Sequence, residues 1–194
     1  MKKLVCSKPF LTLSALAVFF MLSALPVNAQ CSSRPHSPSW NVPNVVEWLV
    51  DSTFSQNCTF SQGGWFFGNA TRTSVNGICG ATQNPYAKLS QNSTVYQRFQ
   101  HDGLGTSQFF LGFDIEGGNP QAAGSLDVWI YNGTNNQWTL VDTFPNNSPI
   151  SCGHRGYNFN RSDWIGKLLY VYFDTTFYDD GNWKIDWVEF QQVR

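Results

Sequence analysis

The sequence has few charged residues and lacks the motifs of most intracellular enzymes. Asp, Glu, Lys and Arg make up 13% of its 194 residues. It contains no Cys-x-x-Cys pair for zinc, no Gly-x-Ser-x-Gly nucleophile motif and no phosphate-binding glycine loop. These absences argue against a zinc domain, an α/β-hydrolase and a nucleotide-binding enzyme.

Long apolar runs are also missing, with one exception at the N-terminus. Phe10 to Leu25 carries no charge, follows Lys2 and Lys3, and precedes the small residues of Val27-Asn28-Ala29. This order is typical of a secretory signal that is cleaved after Ala29. An uncleaved membrane anchor is the alternative, but a span needs roughly 20 apolar residues and this run is shorter. We therefore predict a signal peptide over residues 1–29 and a secreted protein, extracellular or periplasmic, without membrane insertion.

The predicted mature chain also lacks an excess of basic residues. The signal contains three of the 12 basic residues and none of the 13 acidic ones, so the remaining chain has a formal charge near −4. Nucleic acids and anionic membranes require a basic patch, so neither is an expected partner. The remaining length is typical of one domain, and the composition does not indicate an oligomeric state.

Beyond the signal, no run has a helical period. Residues 30–48 contain Pro35, Pro38 and Pro43 and predict an N-terminal arm. Short apolar or alternating runs, separated mostly by Gly, Asn, Pro or Asp, then predict strands of an all-β sandwich or barrel. These runs are Val45 to Val50, Trp65 to Phe67, Tyr86 to Leu89, Thr94 to Phe99, Gln108 to Ile115, Leu126 to Tyr131, Gln137 to Phe144, Lys167 to Phe173 and Lys184 to Val193.

Four cysteines remain after the signal is removed, namely Cys31, Cys58, Cys79 and Cys152. In an oxidising compartment they predict two disulfides and no free thiol. Three connectivities are possible. The turns at Gly63-Gly64 and Asn76-Gly77 favour a bridge between Cys58 and Cys79, which would leave Cys31 to pair with Cys152.

An ordered set of short motifs resembles a known family. The motifs are Leu49-Val50-Asp51-Ser52-Thr53-Phe54, Trp65, Tyr86-Ala87-Lys88-Leu89, Val95-Tyr96-Gln97-Arg98-Phe99, Trp138-Thr139-Leu140 and Ile185-Asp186-Trp187-Val188-Glu189-Phe190. Together they are similar to the galactose-binding-like jelly rolls, and within that group to the carbohydrate-binding modules of bacterial glycoside hydrolases. The resemblance implies a jelly-roll β-sandwich of two antiparallel sheets over residues 49–194.

The resemblance also implies a structural calcium between the first and last strands. Asp186 matches the carboxylate that such modules supply from the last strand. Ser55 stands where the other acidic ligand is expected, so either Asp51 substitutes for it or backbone carbonyls supply the remaining oxygens. The alternative is that Asp186 caps a turn or accepts backbone hydrogen bonds.

Strand alternation identifies side chains that point away from the core. Aliphatic residues of each predicted strand alternate with aromatic or charged ones, and the second set should face outward. Flat rings stack on the C–H face of a sugar and planar polar groups pair with its hydroxyls, so this set predicts a glycan site. The predicted carbohydrate-binding residues are Arg98, Asp127, Trp129, Tyr131, Tyr170, Tyr172, Trp187 and Glu189.

Two other arrangements of the aromatic residues remain open. Outward rings can be covered by a loop or by the proline-rich arm. A site can instead lie at loop tips, where Trp40, Trp65, Trp164 and Trp183 are expected.

Catalysis has little support in the sequence. The carboxylate pairs that a glycosidase needs could be Asp114 with Glu116 or Asp179 with Asp180, but both pairs fit better as solvent-facing strand or turn residues. We therefore expect a non-enzymatic, polysaccharide-binding or glycan-binding domain. A matrix, adhesion or protein-binding sandwich without a sugar site is the alternative, because the fold does not decide between them.

Overall fold

The computed structural model describes residues 45–49, 54, 60, 64–74, 77–79, 85–175 and 182–194, all within one compact unit, Cys31–Arg194. The predicted signal peptide and most of the predicted arm lie outside these residues. Within them, no helix is long and apolar enough to cross a membrane. The strands are β1 Val45–Glu47, β2 Phe66–Gly68, β3 Thr71–Thr73, β4 Tyr86–Leu89, β5 Thr94–Gln100, β6 Gln108–Gly117, β7 Ser125–Asn132, β8 Gln137–Pro145, β9 Ile150–Asn160, β10 Leu168–Thr175 and β11 Trp183–Val193.

The strands form two antiparallel sheets, which confirms the predicted fold class. Sheet A has the order β3-β4-β11-β6-β9, with β1 also paired to β11. Sheet B has the order β2-β5-β10-β7-β8. Strands that are neighbours in sequence often lie in different sheets, as in a jelly roll.

The alternating sequence pattern decides which face of each strand is buried. In β7, Leu126, Val128 and Ile130 are buried, while the residues between them are only partly covered. β10 has the same alternation. A shift of one residue would move the whole aliphatic set to the solvent side, so the register of both strands is strongly specified.

Large aromatic residues fill the space between the sheets. Phe109, Phe113, Phe173 and Phe190 are fully buried and contact one another or neighbouring rings. Such rings prefer edge-to-face or offset packing, which adds to the stabilisation from buried area.

Three of the tryptophans expected at loop tips belong to this core instead. Trp65, Trp164 and Trp183 are 1–3% exposed, so the loop-tip site is wrong for them. Arg161 covers Trp164, and the Trp183 indole N–H donates to Asn146 at 2.6 Å. Because turn residues flank these tryptophans in sequence, the sequence pattern did not indicate that they are buried. Trp40 lies outside the described residues.

Two strands were not expected from the sequence, and β1, which begins at Val45 as the run Val45 to Val50 predicts, overlaps the predicted arm. β3 and β9 have too few aliphatic residues to show a pattern, and β9 contains Gly153 and Gly156. β1 lies in the segment predicted as an arm, yet Val45 pairs with Val193. Sheet pairing therefore begins four residues before the predicted start of the sandwich.

The disulfide found in the structure differs from the favoured pairing. Cys79 is bonded to Cys152 in β9, so the predicted bridges Cys58–Cys79 and Cys31–Cys152 are wrong. The backbone N–H of Cys79 donates to the Glu116 carboxylate of β6 at 2.8 Å, which places the β3–β4 connection close to β9. No local sequence pattern predicts this contact across sheet A. Cys31 and Cys58 lie outside the described residues.

A buried carboxyl group joins β1 to β11. Glu47 Oε1 accepts the backbone N–H groups of Leu49 and Phe190, both at 2.9 Å. Its Oε2 is buried and has no hydrogen-bond partner. Burial, together with a smaller effect of the nearby Glu189, raises the pKa of Glu47 to about 8 despite the lowering effect of the two N–H donors.

Glu47 should make the stability of the protein depend on pH. The folded state keeps this carboxyl group protonated up to about pH 8, while the unfolded chain ionises it near 4.5. Its contribution is therefore complete below the unfolded pKa and is lost as the pH rises through the folded pKa. We expect Glu47→Gln, which keeps an uncharged group, to lose less stability than the parent between those values. Chemical denaturation at both ends of the range measures this, and identical slopes for the two proteins would contradict it.

Candidate functional site

The outer face of sheet B carries its side chains in rows that cross the strands. Residues paired in register lie on the same face, so each row can be read from the pairing. The polar row consists of Thr94, Asp174 and Asp127. The central row consists of Phe66, Tyr96, Tyr172, Trp129 and Leu140. The third row consists of Arg98, Tyr170, Tyr131 and Trp138.

The aromatic residues of the central row and the third row form one continuous surface, here called the aromatic platform. It consists of Phe66, Tyr96, Trp129, Tyr131, Trp138, Tyr170 and Tyr172. With strands about 4.8 Å apart, five strands give it a width of roughly 19 Å. The platform is exposed most at its ends, where Trp138 is 53% and Phe66 is 39% exposed.

Ring contacts hold the platform in place. Tyr96 stacks on Tyr172, and Tyr131 stacks on Trp138, each with 4.4 Å between ring centroids. Trp138 also contacts Tyr172 at 5.1 Å. Burial among these neighbours raises the pKa of Tyr172 to about 12, so its hydroxyl stays protonated at neutral pH. The platform is therefore a packed, preorganised surface.

A recess of about 410 Å³ opens beside the platform. Trp129 and Trp138 contribute two of its walls, because their rings meet at 89° with centroids 6.2 Å apart. Tyr172 and the polar row complete the lining. The volume falls within the range of small-molecule and sugar pockets.

Hydrogen bonds orient the polar groups of the recess. The Thr94 hydroxyl donates to Asp174, and the Ser125 hydroxyl donates to Asp127 at 3.0 Å. At the opposite side of the platform, the Arg98 guanidinium lies 4.6 Å above the ring of Phe60. The face thus presents acceptors at one side and a cation at the other.

The structure brings together six of the eight predicted carbohydrate-binding residues. Arg98, Asp127, Trp129, Tyr131, Tyr170 and Tyr172 share the outer face of sheet B. The other two, Trp187 and Glu189, belong to β11 in sheet A and cannot join this surface. Alternation places a residue on a face, but it does not tell which sheet that face belongs to.

Glu189 also differs in its exposure. It faces away from the core, as expected, but is 0% exposed, so the expected outward, accessible carboxylate is wrong. The carboxylate lies against Gly112 of β6 and accepts a hydrogen bond from Gln191 at 2.8 Å. Glycine leaves room for the carboxylate to lie flat on the sheet.

Trp187 lies at an irregularity in β11. The register with β6 shifts between Asp186 and Glu189, and Trp187 has a φ of 50°. Its side chain is 37% exposed, as expected, although on the other sheet. Trp187 on sheet A and Trp138 on sheet B are both exposed tryptophans, so the effects of replacing them can be compared.

Four residues of the site were not in the predicted set, namely Phe66, Thr94, Trp138 and Asp174. The signal for Asp174 was available, because it shares the alternation of Tyr170 and Tyr172. Trp138 pairs with Tyr131 across the β7–β8 hairpin, which the Asn-Gly turn predicts. Phe66 lies in a strand of only three residues, too short for alternation to be read.

The calcium site implied by the family resemblance stays a prediction. Asp186 is buried, and its Oδ1 accepts the backbone N–H of Trp187 at 2.7 Å. Asp51 and Ser55 lie outside the described residues. In the part of the chain that the structure describes, no three His, Cys, Asp or Glu side chains are grouped to hold a metal ion. Of the two carboxylates that the prediction names, the described part contains Asp186, and calcium prefers roughly six to eight oxygen ligands.

A thermal melt tests the calcium prediction. A bound ion stabilises only the folded state, so a chelator should lower the melting temperature and added calcium should restore it. Asp186→Asn should remove both responses. A melting temperature that is unchanged by chelator and by calcium would exclude the site.

Comparisons with known proteins identify relatives in structure alone. No protein-family model matches the chain, and no curated protein has a significant sequence match. Matches among solved structures include a cyclase from Fischerella sp., with 13% identity and a TM-score of 0.52 over 79% of this chain and all of the other.

Carbohydrate-binding modules are among the matched structures. One is TmCBM61 in complex with β-1,4-galactotriose, with 10% identity and a TM-score of 0.46 over 68% of this chain and 92% of that module. Another match is the enzymatically active domain of tailspike protein 4 of bacteriophage CBA120, with 13% identity and a TM-score of 0.45; the match covers 65% of this chain and 19% of that chain. At 13% identity, the match to the cyclase shows a shared fold alone.

Proposed function

We propose that this protein is a secreted, non-catalytic carbohydrate-binding domain that binds a polysaccharide or surface glycan on the outer face of sheet B. The observation that carries this proposal is the aromatic platform, which crosses all five strands beside a recess lined with polar groups. A soluble domain seldom exposes a continuous apolar surface unless it binds something.

The chemistry of the platform fits sugars. A pyranose ring has an apolar C–H face that stacks on flat aromatic rings, and its hydroxyls bond to planar polar groups at the ring edge. Trp138 and Trp129 supply rings, while Asp127 and Asp174 supply acceptors within the same recess. Because ring contacts already hold these side chains, binding would cost little conformational entropy.

The carboxylates of the recess and the pairs considered for catalysis lie on different sheets. Glycosidases use two carboxyl groups that flank the scissile bond. Asp127 and Asp174 accept hydrogen bonds from the Ser125 and Thr94 hydroxyls on sheet B, and we assign them to hydrogen bonding with sugar hydroxyls. Asp114 and Glu116 lie in sheet A, where Asp114 shares a hydrogen bond with His154 and Glu116 forms an ion pair with Lys184. Asp179 and Asp180 lie outside the described residues.

Secretion is part of the proposal and has two supports. One is the N-terminal signal sequence, and the other is the bond between Cys79 and Cys152. Disulfides are typical of oxidising compartments.

A protein-binding or adhesion role is the second candidate. Leu140 is 49% exposed at the end of the central row, next to Trp138 in the same strand. An aliphatic side chain contributes little to sugar stacking, but it is common at the centre of protein interfaces.

Affinity electrophoresis of the mature domain in gels that contain soluble polysaccharides tests the function, together with a glycan array. Carbohydrate binding predicts retardation by at least one polysaccharide and competition by its oligosaccharides. A domain that stays folded but shows no retardation and no array signal would favour the adhesion role.

A further inference from the structure

The recess beside the platform combines aromatic walls with two carboxylates. Trp129, Trp138 and Tyr172 line it together with Asp127, Asp174 and Thr94. Its three rings and two acids give it a different character from the rest of the face, where the only charged residue of the three rows is Arg98.

The two aspartates lie directly opposite each other. Asp174 pairs with Asp127 in the β10–β7 register. Side chains of such pairs begin about 5 Å apart, and like charges placed this way are unfavourable. The Thr94 and Ser125 hydroxyls each donate to one aspartate but carry no charge.

No basic side chain compensates this charge in the part of the chain that the structure describes. Among the described residues, neither aspartate forms an ion pair with Lys, Arg or His. The undescribed stretches between residues 50 and 181 contain no Lys, Arg or His, and the undescribed part of the predicted arm contains Arg34 and His36. Arg98 lies four residues from Thr94 along β5, about 13 Å at the usual rise per residue, and its guanidinium covers Phe60.

A cation in the recess would reduce the repulsion between the two aspartates. It would also interact with the aromatic rings. Aromatic faces attract ammonium groups through the negative charge of the ring face. Two tryptophan rings at right angles offer such faces on two sides. A carboxylate on the ligand would meet two like charges, so uronic acids and sulfated sugars are disfavoured.

We propose that this recess selects a glycan that carries free, protonated amino groups, so that the preferred ligand is a polymer containing an amino sugar that is not N-acetylated. This inference rests on the proposed carbohydrate-binding function and adds the class of sugar.

Three oligosaccharides of equal length and linkage test the selection, namely β-1,4-linked hexamers of glucosamine, of N-acetylglucosamine and of glucose. They differ only in the group at carbon 2. At a pH at which the amine is charged, we expect the glucosamine hexamer to bind about tenfold more tightly than the other two. That factor corresponds to about 1.4 kcal/mol, the scale of a cation–π contact combined with an exposed ion pair.

Variants assign the preference to the recess. Asp127→Asn with Asp174→Asn keeps the shape and should abolish the preference for the amine, so that the glucosamine hexamer binds no more tightly than the other two. Asp114→Asn is the matched control, since it removes an acid from the outer face of sheet A and should keep the preference. Thermal melts of all variants confirm that they are folded.

The outcomes separate the two proposals. Equal binding of the three hexamers, or binding of another polysaccharide without binding of the amine, would overturn the selection and leave the carbohydrate-binding function intact. No binding of any glycan would overturn both. A lysine peptide that displaces the glucosamine hexamer at equal concentration would assign the recess to a protein cation and overturn the assignment to an amino sugar.

Discussion

Replacing Trp138 with Ala is expected to weaken polysaccharide binding about thirtyfold while changing the free energy of unfolding by less than about 1 kcal/mol. The loss in affinity corresponds to about 2 kcal/mol, the size of an interface hot spot. The small effect on stability follows from exposure, because Trp138 is 53% exposed and leaves no internal cavity. Retardation in polysaccharide gels and chemical denaturation measure the two effects.

Trp187→Ala is the control for that variant. Both residues are exposed tryptophans on the outer face of a sheet, but Trp187 belongs to sheet A. Its removal should leave retardation unchanged. The opposite pattern, with binding lost in Trp187→Ala and kept in a folded Trp129→Ala, Trp138→Ala double variant, would move the site to sheet A.

A buried tryptophan should behave in the reverse manner. Trp164 is 1% exposed and packs on Phe109 and Phe159. Truncation of such a residue typically costs about 3–5 kcal/mol. Any loss of binding in a Trp164 variant would therefore follow from unfolding, and the comparison with Trp138 separates packing from recognition.

The platform shows how far alternation along a strand can be used. β7 and β10 are regular and buried on one face, so their outward residues Trp129, Tyr131, Tyr170 and Tyr172 could be identified from sequence. In such strands the core allows one register. The neighbours that complete the recess depend on pairing between strands distant in sequence, which no local pattern encodes.

The errors in the site have the same origin. The alternation around Trp187 and Glu189 gave each residue an outward direction, but it could not assign β11 to sheet A. It also could not show that Gly112, far away in sequence, would let the Glu189 carboxyl group lie buried against β6.

The sequence pattern did not predict β9 because of its position in the sheet. β9 lies at the edge of sheet A and has one neighbour, β6. An edge strand needs fewer aliphatic residues. In β9, Tyr157 and Phe159 stand between polar residues and glycines. The hydrophobic pattern that identifies central strands is weak in such a segment.

The disulfide between Cys79 and Cys152 should be the strongest single support of sheet A. We expect peptide mapping without reductant to recover these two cysteines in one linked peptide pair. If the predicted signal is removed, Cys31 and Cys58 are the other cysteines of the chain. In an exported protein they should also be oxidised, so alkylation without reductant should label no cysteine. A peptide that links Cys58 to Cys79 would contradict the observed connectivity.

Removing this bond is expected to have a larger effect on stability than any surface substitution. The two cysteines are 73 residues apart, and closing a loop of that size lowers the entropy of the unfolded chain by the equivalent of about 4 kcal/mol. The double variant Cys79→Ala, Cys152→Ala should lose about that much in chemical denaturation. Reductant should destabilise the parent at least as much, and it should affect the variant less. Equal stability of the parent and the double variant would show that the contacts of β9 with β6 hold this edge without the bond.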